Sequence, residues 1–284
     1  MLGLSSAVIV ETATTVFVLS TMLSMGLDLS ITQLLAPFRK RRLVAKSLLV
    51  NVLAVPLAAY LFVHMLTIGR GYEIGIMLIA VAPGAPFGPK LAEISRSDIA
   101  FASGLVVVLG LASAATIPVS LLLLLPGSVD PLAIGQMVFG IQVLPLLIGV
   151  CLTSRYATLA DRLYPPIQRL SNHSFGILLV LLSVVYFDRI VSLLGTGTLF
   201  VSVSVVGASL LLGYAFGGPM QDRREVLATT TAARNAAIAL FIATTSFPDP
   251  DVLTVVLAFS FISVVGSGLL AAAWRGRAAD PAGP

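Results

Sequence analysis

Nine stretches of this chain are apolar almost throughout, at about 5–27, 43–66, 73–94, 98–125, 131–153, 168–190, 197–217, 223–247 and 251–274. Each has the length of a bilayer crossing, since about 20 helical residues span the hydrocarbon core. In hydrocarbon every backbone N–H and C=O must be satisfied inside the protein, which leaves α-helices as the form such runs can take. The whole chain agrees: 57% of its residues are hydrophobic and 11% charged, against roughly 25% charged in a soluble domain. The expectation is an all-α polytopic membrane protein with nine transmembrane helices in one domain over 1–284. The connections carry turn residues, as in "LLPGSVDP", "DRLYPPIQR" and "FPDPD". The start "MLGLSSAVIV" lacks the basic segment of a signal peptide, and 275–284, "RGRAADPAGP", reads as a disordered cytoplasmic tail.

Basic residues set the expected orientation. Arg39, Lys40, Arg41, Arg42, Lys46, Arg96, Arg155, Arg162, Arg169, Arg223, Arg224, Arg275 and Arg277 fall on one set of alternating loops and helix ends. Arg70 and Arg189 fall on the other. The positive-inside rule then puts the N-terminus outside and the C-terminus in the cytoplasm of a cell membrane, plasma or bacterial inner. The net charge of +4 is explained by this topology, and no nucleic-acid partner is needed.

The third run breaks its own helix. "VAPGAPFGPK" places Pro83, Pro86 and Pro89 at three-residue spacing, with Gly84, Gly88 and a terminal Lys90. A proline inside a helix costs about 3 kcal/mol, and in hydrocarbon the freed carbonyls cannot turn to water. The eighth run holds a second anomaly, Arg234 in "LATTTAARNAAIALF", about 13 Å beyond Glu225 at the helical rise. Lys90 lies about 9 Å from Arg96 by the same measure. An intramembrane cation costs several kcal/mol, which marks both positions as functional candidates. Lys90 has a bland reading as well, pairing with Glu93 one turn on. Arg234 has no acid nearby in sequence, only Thr229, Thr230, Thr231 and Asn235.

The third and eighth runs are five apart and therefore cross the membrane in opposite senses, the footprint of an inverted repeat with two discontinuous helices. The first repeat is expected over 1–127, with a connector helix and the second repeat over 128–274. Irregular backbone at membrane depth is tolerated where it lines a cavity within protein, which points to a polar site at the breaks.

These residues carry a resemblance. "LSMGLDLSITQL", "NVLAVPLAAYLF", "VAPGAPFGPKLAEISRSDIAFA" and "TTTAARNAAIALFIA", in this order, resemble the bile acid:sodium symporter family in its nine-helix form. The resemblance implies a panel domain and a core domain, with the crossing third and eighth helices in the core. It implies an organic-anion substrate. The family's sodium-site pattern, however, is depleted here. Gly88-Pro89 replaces a Ser-Asn pair, Thr230 stands for a Glu and Arg234 for a Gln; only Asn235 matches. Asn51 is a shortened polar residue before the second-span proline, and Ala102 and Val106 replace expected hydroxyls. Lys90 and Arg234 put fixed cations where relatives would hold sodium ions.

The resulting expectation is a secondary transporter, not an enzyme, moving a small carboxylate by alternating access without sodium at the usual sites. A guanidinium suits a carboxylate bidentately, so Arg234, Lys90, Asn235, Thr230, Asn51, Gly84 and Gly88 are the candidate substrate residues. Pro83, Pro86 and Pro89 form the break. Lys90 is also a candidate proton carrier, since burial lowers a lysine pKa. No cofactor and no metal are expected. Two alternatives stay open: a sodium symporter with a relocated site, and a non-transporting sensor or channel on the same fold. His64 and His173 read as interfacial side chains, Cys151 as a packing residue, and Glu11 and Asp188 as solvated helix ends. Oligomeric state is not legible.

Overall fold

The computed structural model describes residues 2–29, 41–125, 127, 130–185 and 187–278, without side chains at 2–7, 179, 182, 183 and 276–278. Among the described residues every regular element is helical. In chain order these are α1 (Leu2–Leu27), α2 (Arg41–Leu48), α3 (Val55–Met65), α4 (Arg70–Ala80), α5 (Gly88–Ser95) and α6 (Ile99–Leu124). There follow α7 (Pro131–Val138), α8 (Leu144–Arg155), α9 (Ala157–Val185), α10 (Phe187–Ser192), α11 (Thr198–Phe216), α12 (Gln221–Ala233), α13 (Ala236–Ser246) and α14 (Pro250–Ala278). Seven helical segments among them are long and apolar enough to cross a bilayer, against the nine expected. The third run falls short because its two pieces, α4 and α5, have 11 and 8 residues. The sixth, 168–190, opens in the polar residues Gln168, Arg169, Ser171, Asn172 and His173 of α9, and the count covers the described residues only.

The breaks sit where the prolines and the arginine put them. α4 stops at Ala80, and α5 starts at Gly88 with Pro89 in its first turn, where a missing N–H costs nothing. α12 ends at Ala233 and α13 resumes at Ala236, with the Asn235 side chain accepting from Ile238 N at 3.3 Å as N-cap. The two interruptions touch: the Asn235 N–H donates to Ala82 O at 2.9 Å. Around them pack Ile76, Met77, Leu78, Ile79, Ile238 and Phe259, all fully buried.

Two further irregularities come from prolines. α2 passes into α3 through a π turn, Leu49–Ala54, just before Pro56. α7 passes into α8 through another, Phe139–Val143, just before Pro145. In the first, Val55 N bonds Val50 O, so the next bond of the same kind would run from Pro56 to Asn51 O. Proline has no N–H, and Asn51 O is left open.

Two expectations are corrected. "DRLYPPIQR" is not a connection: α9 runs through Pro165 and Pro166. The carbonyls these prolines strip of donors belong to Asp161 and Arg162, which are exposed, so solvent can serve them. The tail expected from 275 is helical through Ala278, because α14 continues; 279–284 lie outside the described residues, as do Arg39, Lys40 and the Ser30–Leu34 part of the first motif.

Candidate functional site

The site is assembled around Arg234. Its backbone has φ of +46°, a region where non-glycine residues are strained, and its side chain is 1% exposed. The guanidinium needs acceptors, and two irregular helices supply them. Nε donates to Ile79 O at 3.3 Å and Nη2 to Ala80 O, both at the C-terminal end of α4, where the helix dipole is negative. Nη1 donates to Asn51 Oδ1 at 3.1 Å, and Nη2 also to Asn51 O at 3.2 Å, the carbonyl that Pro56 leaves open. Asn51 is used up in turn: its Nδ2 donates to Ser47 O and to Thr231 Oγ1, each at 3.0 Å. The cation is thus held by neutral oxygens, not by an acid.

Asn235 makes the second half of the crossover. Its Nδ2 donates to Gln142 Oε1 at 3.0 Å, and Gln142 Nε2 donates to Gly110 O at 2.8 Å. Gln142 and Ser113, which also meet through their side chains, were not among the sequence candidates. The signal was present, since "FGIQVLP" repeats the polar-then-proline arrangement of "VNVLAVP". Both amides sit in π turns, and both hold one residue of the second break. Replacing Gln142 with leucine should leave the Asn235 amide buried without its acceptor. The expected loss is about 2 kcal/mol of stability, read as a lower unfolding midpoint in detergent; an unchanged midpoint refutes the role.

The remaining candidates divide. Thr230 is fully buried and its hydroxyl has no partner among the described residues; it packs beside Gly88, where a Cβ would come within 3.1 Å of it. Gly84, at φ +88°, lies against Gly110 and Val106 of α6. Both glycines are buried in packing. Lys90 is elsewhere: its side chain is 65% exposed and its Nζ lies 2.8 Å from Glu93 Oε2. The bland pairing holds, and the burial that a proton-carrying lysine requires is missing.

Lys90 and Glu93 instead face a cavity of about 610 Å³ between α1 and α9 on one side and α5 and α6 on the other. Pro86, Phe87 and Pro89 from the first break line it, while Arg234, Asn51 and Asn235 do not. Its wall from α1 and α9 is polar: Thr21 Oγ1 and Ser171 Oγ are 2.7 Å apart, and Ser24 donates to Gln168. Phe17, Phe87 and Phe175 form an aromatic side, with ring centroids 5.2 and 5.5 Å apart. So Arg234, expected to meet a substrate carboxylate, has four of its five N–H donors on protein oxygens and lies outside the cavity. The reason is that carbonyl oxygens at helix breaks are invisible in a list of side chains.

His64 and His173 are exposed and bonded to Tyr60 O and Arg169 O of their own helices; Glu11, Cys151 and Asp188 are exposed. Among the described residues no group of three or more His, Cys, Asp or Glu side chains could hold a metal ion. The Sodium Bile acid symporter family model matches residues 15–195. No curated protein matches the chain.

Proposed function

The chain belongs to the sodium bile acid symporter family, and from that membership we propose that it is a secondary transporter of a small organic anion, a carboxylate, working by alternating access without sodium at the crossover. Members of this family are transporters, and the apolar helices make the chain a multi-pass membrane protein. The observation that carries the proposal is the guanidinium of Arg234 among Asn51 Oδ1, Asn51 O, Ile79 O and Ala80 O. Several neutral oxygens, from the first break and from the π turn before Pro56, form a seat for a cation, and the seat is filled by the protein's own side chain. A second cation there would meet like-charge repulsion at close range in a medium of low dielectric.

The cavity beside Lys90 is the substrate compartment in this reading. It has room for a small organic acid, a cation in Lys90, polar groups for hydroxyls, and the first break as one wall. The crossing breaks form a buried joint that couples the two ends of α4–α5 and α12–α13. A first repeat over 1–127, a connector helix and an inverted second repeat over 128–274, an outside N-terminus and a cytoplasmic C-terminus complete the proposal, supported by the interruptions in the third and eighth runs and by the basic residues.

The test is counterflow in liposomes. Purified protein, preloaded with one of a panel of unlabelled carboxylates, should exchange it for the labelled form at the same rate in sodium, potassium or choline medium. If choline abolishes exchange, the sodium-independent reading fails; if no carboxylate exchanges in any medium, the carrier reading fails with it.

A further inference from the structure

We propose that the cavity carries a monocarboxylate with an aryl or alkyl body together with one proton, and that Asp28 is the group that takes the proton. This rests on the transporter reading above and adds the substrate's shape and the coupling ion.

The argument starts from charge. The charged side chains lining the cavity, among the described residues, are Lys90, Glu93 and Asp28. Lys90 is paired with Glu93 at 2.8 Å, which leaves Asp28 in excess. An entering carboxylate would add a second negative charge to a space already holding one. Like charges in a partly desolvated site drive one of the two to bind a proton. The Lys90 ammonium has three N–H donors and can serve Glu93 and the substrate carboxylate together, so the proton falls to Asp28, which no cation pairs among the described residues.

Asp28 is placed for it. It follows the last residue of α1 and opens into the cavity, with Tyr164 of α9 close enough to feel its charge. The other charged groups at this end, Arg155 on α8 and Asp161 and Arg162 on α9, are exposed. Among the described residues none of them forms an ion pair with Asp28, and neither does Lys90. Burial pushes the Asp28 carboxyl above its ordinary value, which favours the protonated form. The substrate's charge and the proton favour each other by reciprocity: whatever the anion adds to Asp28's proton affinity, the proton adds to the anion's. The body of the substrate meets Phe17, Phe87 and Phe175, which suits an aryl or alkyl group.

The cycle balances. One carboxylate anion and one proton enter together, Asp28 goes from carboxylate to carboxylic acid, and both leave on the other side, with no net charge moved. Electroneutral coupling of this kind sets an equilibrium accumulation of about tenfold per unit of pH difference, since one proton moves with each substrate in the same direction.

Radiolabelled 3-phenyllactate, which has an aryl body, a hydroxyl and one carboxylate, is the probe. The full chain in liposomes should show counterflow of it, and should accumulate it toward tenfold under a one-unit pH gradient, faster than protein-free liposomes. Asp28→Asn imitates the protonated acid but cannot release a proton. It should lose gradient-driven uptake above the protein-free rate, and whatever counterflow it shows should no longer fall as pH rises, as the wild type's does when Asp28 gives up its proton. Wild-type counterflow with no response to the pH gradient overturns the proton. Gradient-driven uptake that survives in Asp28→Asn overturns the residue. Exchange of other carboxylates but not of phenyllactate overturns the substrate shape, and only a failure of every carboxylate removes the carrier itself. Should Asp28→Asn not purify as a folded protein, Asp28→Glu decides: it keeps a titrating acid and must keep gradient-driven uptake.

Discussion

Arg234→Ala should lower the stability of the purified protein by about 3 kcal/mol in sodium-free buffer. Three acceptors, Asn51 Oδ1, Asn51 O and Ala80 O, would lose their donor, while Ile79 O keeps the N–H groups of Val81 and Ala82. Each buried acceptor left alone costs about 1–3 kcal/mol; no longer burying a charge offsets part of that. The emptied seat keeps its oxygens, so added sodium should restore part of the loss while choline, too large to enter, does not. Arg234→Lys should fall between, because a single ammonium cannot reach acceptors spread across the guanidinium fork. Thermal unfolding in detergent, with and without each salt, reads all three. An alanine variant as stable as the wild type would mean the carbonyl seat is not held by Arg234, and a loss that sodium cannot touch would mean the space closes or fills with water.

Gly84→Val should be at least as damaging, at about 3 kcal/mol or more. Gly84 has φ of +88°, where a β-branched residue is strained, and its Cβ would lie 3.0 Å from Gly110 N and 3.2 Å from Val106 O. Those are backbone atoms of α6 and cannot rotate aside, so the first break would be forced off its support. Gly176→Ala is the control: nothing lies within 4 Å of its Cβ position, and a helical alanine should be neutral or stabilising by about 1 kcal/mol. Expression of folded protein, followed by its unfolding midpoint, separates them. A Gly84→Val protein that behaves like Gly176→Ala would show that the α4–α5 turn can take another path.

The helices were legible because the solvent wrote them. Residues that face lipid or pack on neighbours must be apolar over a fixed length, and the breaks at Pro83–Pro89 and Ala233–Ala236 follow from the absent proline N–H and the out-of-place arginine. Pro165 and Pro166 misled for a converse reason: their local chemistry is that of a loop, and only the exposure of Asp161 and Arg162 lets the helix continue. The site was half legible. Side chains that look wrong in an apolar run, Asn51, Arg234 and Asn235, do meet at one place. Their partners are main-chain oxygens, which every residue owns and no sequence distinguishes, so Arg234 looked partnerless. Asp28 escaped notice because an acid at a helix end is ordinary until a cavity is built over it.

A side chain that occupies a cation seat differs from an ion in one thermodynamic respect: it has no dissociation constant. A bound ion stabilises a protein by an amount set by its concentration, through RT ln(1 + [L]/Kd), and by leaving on the far side it can spend a gradient. The guanidinium of Arg234 does neither. The joint between the two breaks should therefore be as well ordered in dilute fresh water as in brine, with salinity exerting no torque on it. On the reading proposed above, the chemical potential that turns the carrier enters where groups can still come and go with solvent, in the compartment beside Lys90 and Asp28.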